Sequence, residues 1–276
     1  MRNQPIGVMD SGVGGLTVVS EIWRQLPREE VLFYGDSARC PYGDRPAAEI
    51  ASFTFRALDF LVEQGVKMLV IACNTATAVC LEWARERYDI PVLGVIAPGA
   101  RAAIAATTNQ RVGIIGTRTT IASNSYPRAL HLTHRGIETF PVACPLFVAL
   151  VEQGITAAAE ALPVVTESLR EFSGANIDTL ILGCTHYPLL AEIIQQAVGP
   201  GVTLINSAEE TARDVSFVLA DNQMTRTHAA KPNHVFLTSG DVGKFADIGG
   251  KWLGKPVQVG YYDVWEGDER SDAAGV

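Results

Sequence analysis

The chain has 276 residues, 47% of them hydrophobic and 19% charged, a composition that is typical of globular domains and excludes an intrinsically disordered chain. Its 22 basic and 30 acidic side chains leave a net charge of −8. This charge argues against a protein that coats nucleic acid, because phosphate contacts need a basic face. No apolar run approaches the roughly 18 residues of a membrane span.

Ten short apolar segments alternate with longer helical segments along the chain. The predicted strands are Ile6–Asp10, Val31–Asp36, Met68–Ala72, Val92–Ile96, Val112–Gly116, Glu138–Val142, Thr179–Gly183, Val202–Asn206, Val235–Ser239 and Val257–Tyr261. They are nearly continuously apolar, as strands buried on both faces of a parallel sheet must be. The alternation predicts an α/β fold with helices on both sides of parallel sheets.

The order of strands and motifs repeats along the chain. Cys73 follows one apolar strand and Cys184 follows another, at a distance of 111 residues (184 minus 73). The strands that start at Val92 and Val202 are 110 residues apart (202 minus 92). These offsets predict two pseudo-symmetric α/β domains with the active site in the cleft between them. We assign residues 1–96 and 209–276 to the first domain and residues 97–208 to the second.

The N-terminus and the cysteines indicate the compartment. Residues 1–5 lead directly into an apolar strand, without the hydrophobic region of a secretory signal. The five cysteines are odd in number, widely spaced and without a CxxC pair. We therefore expect free thiols in a cytoplasmic protein.

Polar segments follow several of the predicted strands, at the sheet edge where parallel α/β folds bind their ligands. They are Asp10–Gly15, Asp36–Gly43, Cys73–Thr75 and Cys184–His186. The glycine-rich turn in the first segment offers backbone N–H groups to an anion, but close helix–strand packing explains such a turn equally well. It matches neither the dinucleotide fingerprint nor the P-loop.

Two of the cysteines are candidate catalytic groups. Cys73 and Cys184 each follow an apolar strand and are expected to open a helix, whose N-terminus lowers the pKa of a thiol. The alternative for any single cysteine is a buried structural thiol. We keep that interpretation for Cys80 and Cys144, while the role of Cys40 stays open.

Metal and cofactor chemistry find little support in the sequence. His131 and His134 are three residues apart without an acidic or thiol ligand nearby, and the pair Cys184 and His186 lacks a second pair of ligands, so no zinc site is expected. Pyridoxal phosphate needs a Schiff-base lysine. Of the five lysines, Lys67 begins a strand and the other four lie near the C-terminus. We expect neither a metal nor a cofactor.

Two facing thiols suit the inversion of a carbon centre. One thiolate removes a proton while the opposite thiol delivers one. The α-proton of an amino acid is weakly acidic, so such a site must stabilise the developing charge and exclude water. Asp10 and His186 are candidate acid–base groups beside the two cysteines.

Five segments resemble the aspartate/glutamate racemase family, and within it the cofactor-independent glutamate racemases: Met9–Val18, Tyr34–Asp36, Pro41–Gly43, Ile71–Ala76 and Leu182–Leu189. The likeness runs from Ile6 to about Asp214. It implies two pseudo-symmetric α/β domains around a central active site. It also implies interconversion of L- and D-glutamate, which supplies D-glutamate for peptidoglycan, cell-wall biogenesis and cell shape.

The resemblance also implies roles for individual residues. Cys73 and Cys184 become the acid/base thiols, supported by Asp10, Glu152 and His186. Glu152 is implied by the resemblance alone. The implied substrate contacts are Asp10, Ser11, Tyr42, Gly43, Asn74, Thr75, Thr185 and His186.

Other functions remain as alternatives. An aspartate racemase or related amino-acid racemase would share these motifs, whereas a relative with one catalytic cysteine is disfavoured because both thiols are present. A non-enzymatic two-lobed binding protein could use the same cleft. The expected partner is a small molecule, L- or D-glutamate, with no nucleic acid and no membrane, and a homodimer is left open.

Overall fold

Ten β-strands occur in residues 2–155 and 157–266, the part of the chain described by this computed structural model. They are β1 Ile6–Asp10, β2 Val31–Gly35, β3 Met68–Ile71, β4 Val92–Gly94, β5 Arg111–Gly116, β6 Glu138–Ala143, β7 Thr179–Gly183, β8 Thr203–Ile205, β9 Val235–Thr238 and β10 Val259–Tyr261. All ten predicted strands are confirmed, with shifts at their ends.

The helices of the described residues fill the intervals between strands. They are α1 Leu16–Gln25, α2 Ala47–Glu63, α3 Asn74–Arg87, α4 Ile96–Ala106, α5 Arg118–Ala122, α6 Ser125–Thr133, α7 Leu146–Glu152, α8 Ala158–Ser168, α9 Ala191–Val198, α10 Ala208–Asp221 and α11 Val242–Leu253. In this part of the chain, no helix combines the length and the apolarity needed to cross a membrane.

The strands form two parallel sheets, so the predicted α/β class is confirmed. One sheet has the order β10-β9-β2-β1-β3-β4 and the other the order β6-β5-β7-β8. Every neighbouring pair runs parallel. The carboxyl ends of β1 and β7, which carry Asp10 and Cys184, therefore lie at the ligand-binding edges of their sheets.

Each sheet is covered on both faces, because neighbouring residues of a strand point to opposite sides. In β1, Val8 packs into an apolar core with α1 and α10, whereas Met9 packs with α2 and α3. In the second sheet, Leu180 packs with α7, α8 and α9, and Ile181 packs with α4 and α6. Burial of each such side chain contributes about 1.5–3 kcal/mol.

The strand that precedes the second domain is shorter than predicted. We expected a strand over Val92–Ile96, but β4 ends at Gly94 and Ile96 begins α4. The apolar run hides this boundary, because apolarity alone does not separate a buried strand from a buried helix start. Pro98 fits the first turn of α4, where no intrahelical N–H bond is lost.

The C-terminal segment returns to the first sheet. Strand β9 pairs with β2, and β10 pairs with β9 at the edge. In α11, Trp252 packs against apolar cores that belong to both sheets. The segment that follows the second sheet thereby brings side chains of α11 close to the cleft.

Candidate active site

The end of β1 forms one side of the cleft. Asp10 is fully buried, and its carboxylate accepts hydrogen bonds from the backbone N–H of Gly12 at 3.0 Å and from the hydroxyl of Thr185 at 3.3 Å. A Cβ at Gly14 would lie 2.4 Å from the Thr185 hydroxyl. The glycine-rich turn therefore allows the two domains to approach each other closely.

Burial raises the pKa of Asp10 to about 6. The positive charge of His186 and hydrogen bonds from the Gly12 and Gly15 backbone oppose this increase without cancelling it. Asp10 consequently loses its proton far closer to neutral pH than an exposed aspartate does.

Cys73 caps the N-terminus of α3, as the sequence predicted. Its sulfur accepts a hydrogen bond from the Ala76 backbone N–H at 3.5 Å and donates one to the Ser11 hydroxyl at 3.6 Å. Burial, assisted by the charge of Asp10, nevertheless raises the pKa of Cys73 to about 12. The Ala76 N–H at the helix N-terminus does lower the pKa of this thiol, as expected, but the loss of water outweighs it, so the expected net decrease was wrong.

Cys184 has different surroundings, although it occupies the matching position after β7. The sequence predicted that it opens a helix, but a short 3₁₀ turn over Tyr187–Leu190 comes first and α9 begins at Ala191. The neighbour of the Cys184 thiol is instead the imidazole of His186, with a Sγ–Nδ1 distance of 3.8 Å.

A chain of polar contacts continues behind His186. Its Nε2 donates to Oε1 of Glu152 at 2.8 Å, and Nζ of Lys244 lies 3.4 Å from Oε2 of the same carboxylate. Burial opposes the imidazolium, but hydrogen bonds to Cys184, Cys40 and Glu152 hold the pKa of His186 well above 6.5. Burial likewise opposes the charge of Glu152, and its contacts with His186 and Lys244 lower its pKa all the same.

The two thiols lie close together. Ser11, which the Cys73 thiol contacts at 3.6 Å, adjoins Asp10, and Asp10 accepts a hydrogen bond at 3.3 Å from Thr185, the neighbour of Cys184. Both side chains are almost fully buried, with 5% of Cys73 and 8% of Cys184 exposed. The arrangement places one thiol from each domain at a shared, water-poor centre.

Several side chains that are expected to bind the substrate form contacts between the domains. The hydroxyl of Thr75 lies 2.9 Å from that of Thr117, and the amide of Asn74 donates to the Tyr126 hydroxyl at 2.8 Å. The Tyr42 hydroxyl donates to Asp36 at 2.7 Å within the first domain. A Cβ at Gly43 would lie 2.5 Å from that of Thr117, so this loop also touches the second domain.

Sequence reasoning missed some residues of this region. Thr117 caps α5 after β5, and it lies 107 residues beyond Asp10 at the end of β1 (117 minus 10), so the internal repeat offered a signal for it. Lys244 lies more than ninety positions from Glu152, and its own surroundings in the sequence contain nothing that marks it. Cys40 donates to Oε1 of Glu152 across the cleft at 3.8 Å, a contact that only the tertiary fold creates.

A sequence profile of Asp/Glu/hydantoin racemases matches residues 6–215. The chain belongs to this racemase family. A glutamate racemase of Shouchella clausii is 54% identical over 251 residues, which are 91% of each chain. The resemblance drawn from the five motifs is thereby confirmed.

Solved racemases of the family share the fold. A glutamate racemase isoform from Bacillus anthracis matches with a TM-score of 0.92 and 45% identity, over 95% of this chain and 98% of that one. The glutamate racemase of Francisella tularensis, solved in complex with D-glutamate, matches with a TM-score of 0.89 and 35% identity, over 96% and 99% of the two chains.

Proposed function

We propose that this protein interconverts L-glutamate and D-glutamate by proton transfer at the α-carbon between Cys73 and Cys184, without a cofactor. One observation carries the proposal: the two thiols follow strands of different sheets, and their immediate neighbours meet at Asp10, which adjoins Ser11 and accepts a hydrogen bond from Thr185. The similarity to glutamate racemases supports glutamate as the substrate. D-glutamate made in the cytoplasm then supplies peptidoglycan synthesis, and with it cell-wall growth and cell shape.

The two thiols exchange the roles of base and acid between the two directions. Asp10 supports Cys73, whereas His186, oriented by Glu152, supports Cys184. Because burial raises the pKa of Cys73, the thiolate needs a favourable charge when it forms. The α-ammonium group of the substrate supplies that charge, since an opposite charge within about 4–6 Å favours an ionised group.

Polar groups around the thiols bind the substrate in this proposal. The contacts are Asp10, Ser11, Tyr42, Gly43, Asn74, Thr75, Thr185 and His186. Backbone N–H groups at the start of α3 suit a carboxylate, because a helix N-terminus attracts anions. Stabilisation of the α-carboxylate there lowers the energy of the carbanion-like transition state.

In this proposal, residues 1–96 and 209–276 form the first domain, and residues 97–208 form the second. Glutamate cannot reach thiols that are 5% and 8% exposed unless these domains separate. The contact between Thr75 and Thr117 is one that such opening breaks. Closure then excludes water from the reacting centre.

The experiment is the incubation of the metal-free protein with L-glutamate, followed by chiral chromatography. We expect D-glutamate to rise until the two enantiomers are equal. A two-lobed binding protein would bind glutamate and leave its configuration unchanged. That result would overturn the proposal.

Aspartate is the substrate that tests the nearest alternative. A single methylene in a binding site changes kcat/KM by about 10–200-fold. We therefore expect at least a tenfold preference for L-glutamate over L-aspartate, and a preference for aspartate would instead identify an aspartate racemase.

A further inference from the structure

Three different metal-binding side chains meet beside the thiols. The donor atoms of Cys40, Glu152 and His186 all lie within 4.8 Å of one another. The sulfur of Cys40 is 3.8 Å from Oε1 of Glu152, which is 2.8 Å from Nε2 of His186. No local motif in the sequence marks this cluster, because Cys40 and Glu152 are 112 positions apart.

The donor set and its spacing suit Zn²⁺. Zinc binds thiolate, imidazole and carboxylate with bonds of about 2.0–2.3 Å, and three protein ligands with one open position are a common arrangement. In a tetrahedral site with these bonds, neighbouring donors lie roughly 3.3–3.7 Å apart. The observed distances of 2.8 and 3.8 Å fall on either side of this range and the third pair of donors lies within 4.8 Å, so side-chain movements of up to about 1 Å would complete the site.

The surroundings leave room for an ion and hold its ligands. A Cβ at Gly12 would lie 3.2 Å from the sulfur of Cys40 and 3.3 Å from Oε1 of Glu152, so the glycine leaves the space beside both donors without a side chain. The second carboxylate oxygen of Glu152 contacts Lys244, and Nδ1 of His186 faces Cys184. Such outer contacts orient the ligands of protein metal sites.

We propose that Cys40, Glu152 and His186 form a binding site for Zn²⁺ that reversibly inhibits the enzyme. On binding, the Cys40 thiol releases its proton to solvent, and a protonated His186 likewise releases its Nε2 proton. The thiolate, the carboxylate and the Nε2 lone pair then bind the ion. Water occupies the fourth position.

Inhibition follows from the loss of a mobile proton. Nε2 of His186, once bonded to zinc, no longer exchanges a proton with Glu152, and the ring is fixed beside Cys184. The ion also ties Cys40 of the first domain to two residues of the second, which opposes opening of the cleft. The inhibitory effect rests on the proposed role of His186, whereas binding of the ion does not.

Cobalt(II) tests binding without any assay of activity. We expect one equivalent of Co²⁺ to give the ultraviolet charge-transfer band of a cobalt–thiolate bond in the wild-type protein. Cys40→Ser should lose this band, whereas the control Cys80→Ser, which removes a fully buried thiol of α3, should keep it. No band in the wild type, or a band that persists in Cys40→Ser because Cys73 or Cys184 holds the ion, would overturn the proposal.

A second variant keeps the test independent of how Cys40→Ser folds. Gly12→Ala keeps all three metal-binding residues and adds a methyl group in the space beside them. It should weaken Co²⁺ binding by at least about tenfold, as expected when ligands are displaced. Unchanged affinity in this variant would contradict the site.

Racemisation assays in a zinc buffer test the inhibition, because the buffer fixes free Zn²⁺ despite binding by glutamate. The zinc concentration for half-inhibition, measured relative to each protein's own zinc-free rate, should rise at least about tenfold in Cys40→Ser. Equal inhibition of both proteins would refute the inhibitory role. A cobalt band in a protein that racemises no amino acid would refute the proposed function alone.

Discussion

The two thiols differ in the groups that surround them. Cys73 contacts a hydroxyl and a backbone N–H, and its pKa is raised to about 12. Cys184 contacts His186, which is held by Glu152. In the proposed mechanism, proton transfer on one side therefore depends on Asp10 and the charge of the substrate, and on the other side on an imidazole–carboxylate pair.

Replacement of either thiol tests the two-base assignment. Cys73→Ala and Cys184→Ala should each reduce kcat by at least about 100-fold in both directions, because a positioned acid or base contributes about 10²–10⁴-fold. Circular dichroism should show an unchanged fold. The control Cys80→Ala should keep its turnover per folded molecule, and substantial racemisation by either catalytic-site variant would exclude the assignment.

The raised pKa of Asp10 makes the free energy of unfolding depend on pH. The folded protein keeps the Asp10 proton up to about pH 6, whereas the unfolded chain loses it near 3.8. Folding is therefore favoured below about pH 4, and this contribution disappears as the pH rises through 6. The shift corresponds to roughly 3 kcal/mol in the free energy of unfolding.

Urea unfolding between pH 4 and 7 measures this contribution. Asp10→Asn cannot titrate at this position, so its stability relative to wild type should rise by roughly 2 kcal/mol over this range, because part of the contribution is already lost at pH 4. Parallel stability curves for the two proteins would show that burial does not perturb Asp10.

At the scale of secondary structure, the sequence predicts the strands well and the contacts between them poorly. A buried parallel strand needs a continuous apolar run, which is visible locally, as in Thr179–Gly183. The 3₁₀ turn after Cys184 was missed because the pattern of polar residues is the same at both thiols. Contacts such as Lys244 with Glu152 join distant segments, and no local pattern encodes them.

A buried ion pair joins the first sheet to the C-terminal segment. Lys67, which precedes β3 and is fully buried, donates to Glu29, to the carbonyl oxygen of Arg2 and to that of Met224. The other oxygen of Glu29 accepts from the backbone of Arg226. The lysine therefore has a structural role.

Lys67→Met should destabilise the protein by about 3–5 kcal/mol, because it leaves the carboxylate of Glu29 buried without its cation. Urea unfolding at pH 7 measures the change. The control Lys231→Met, at an exposed lysine, should stay within about 0.5 kcal/mol of wild type. A loss below 1 kcal/mol for Lys67→Met would show that Glu29 takes up a proton or finds another partner.

At the scale of the whole molecule, the fold brings two similar sheets together so that one thiol from each reaches a common centre. Glycines permit this approach, as at Gly14, where a Cβ would meet Thr185 at 2.4 Å. Helix α11 adds contacts from the first domain to the second through Trp252 and Lys244. In the proposed mechanism, this arrangement lets the two thiols act on opposite faces of the substrate.

The isotope pattern in heavy water tests this geometry. The thiol that donates to the product exchanges its proton with solvent before substrate binds, so D-glutamate formed early from L-glutamate should carry deuterium at the α-carbon. The abstracted proton stays on the opposite thiol, so the remaining L-glutamate should carry little label. Chiral separation followed by mass spectrometry measures both, and Cys80→Ala should reproduce the wild-type pattern.

Unlabelled D-glutamate would mean that one group carries the same proton across. Labelling of L-glutamate as fast as product forms would mean that the abstracted proton exchanges before inversion, and either result would contradict two thiols acting from opposite faces.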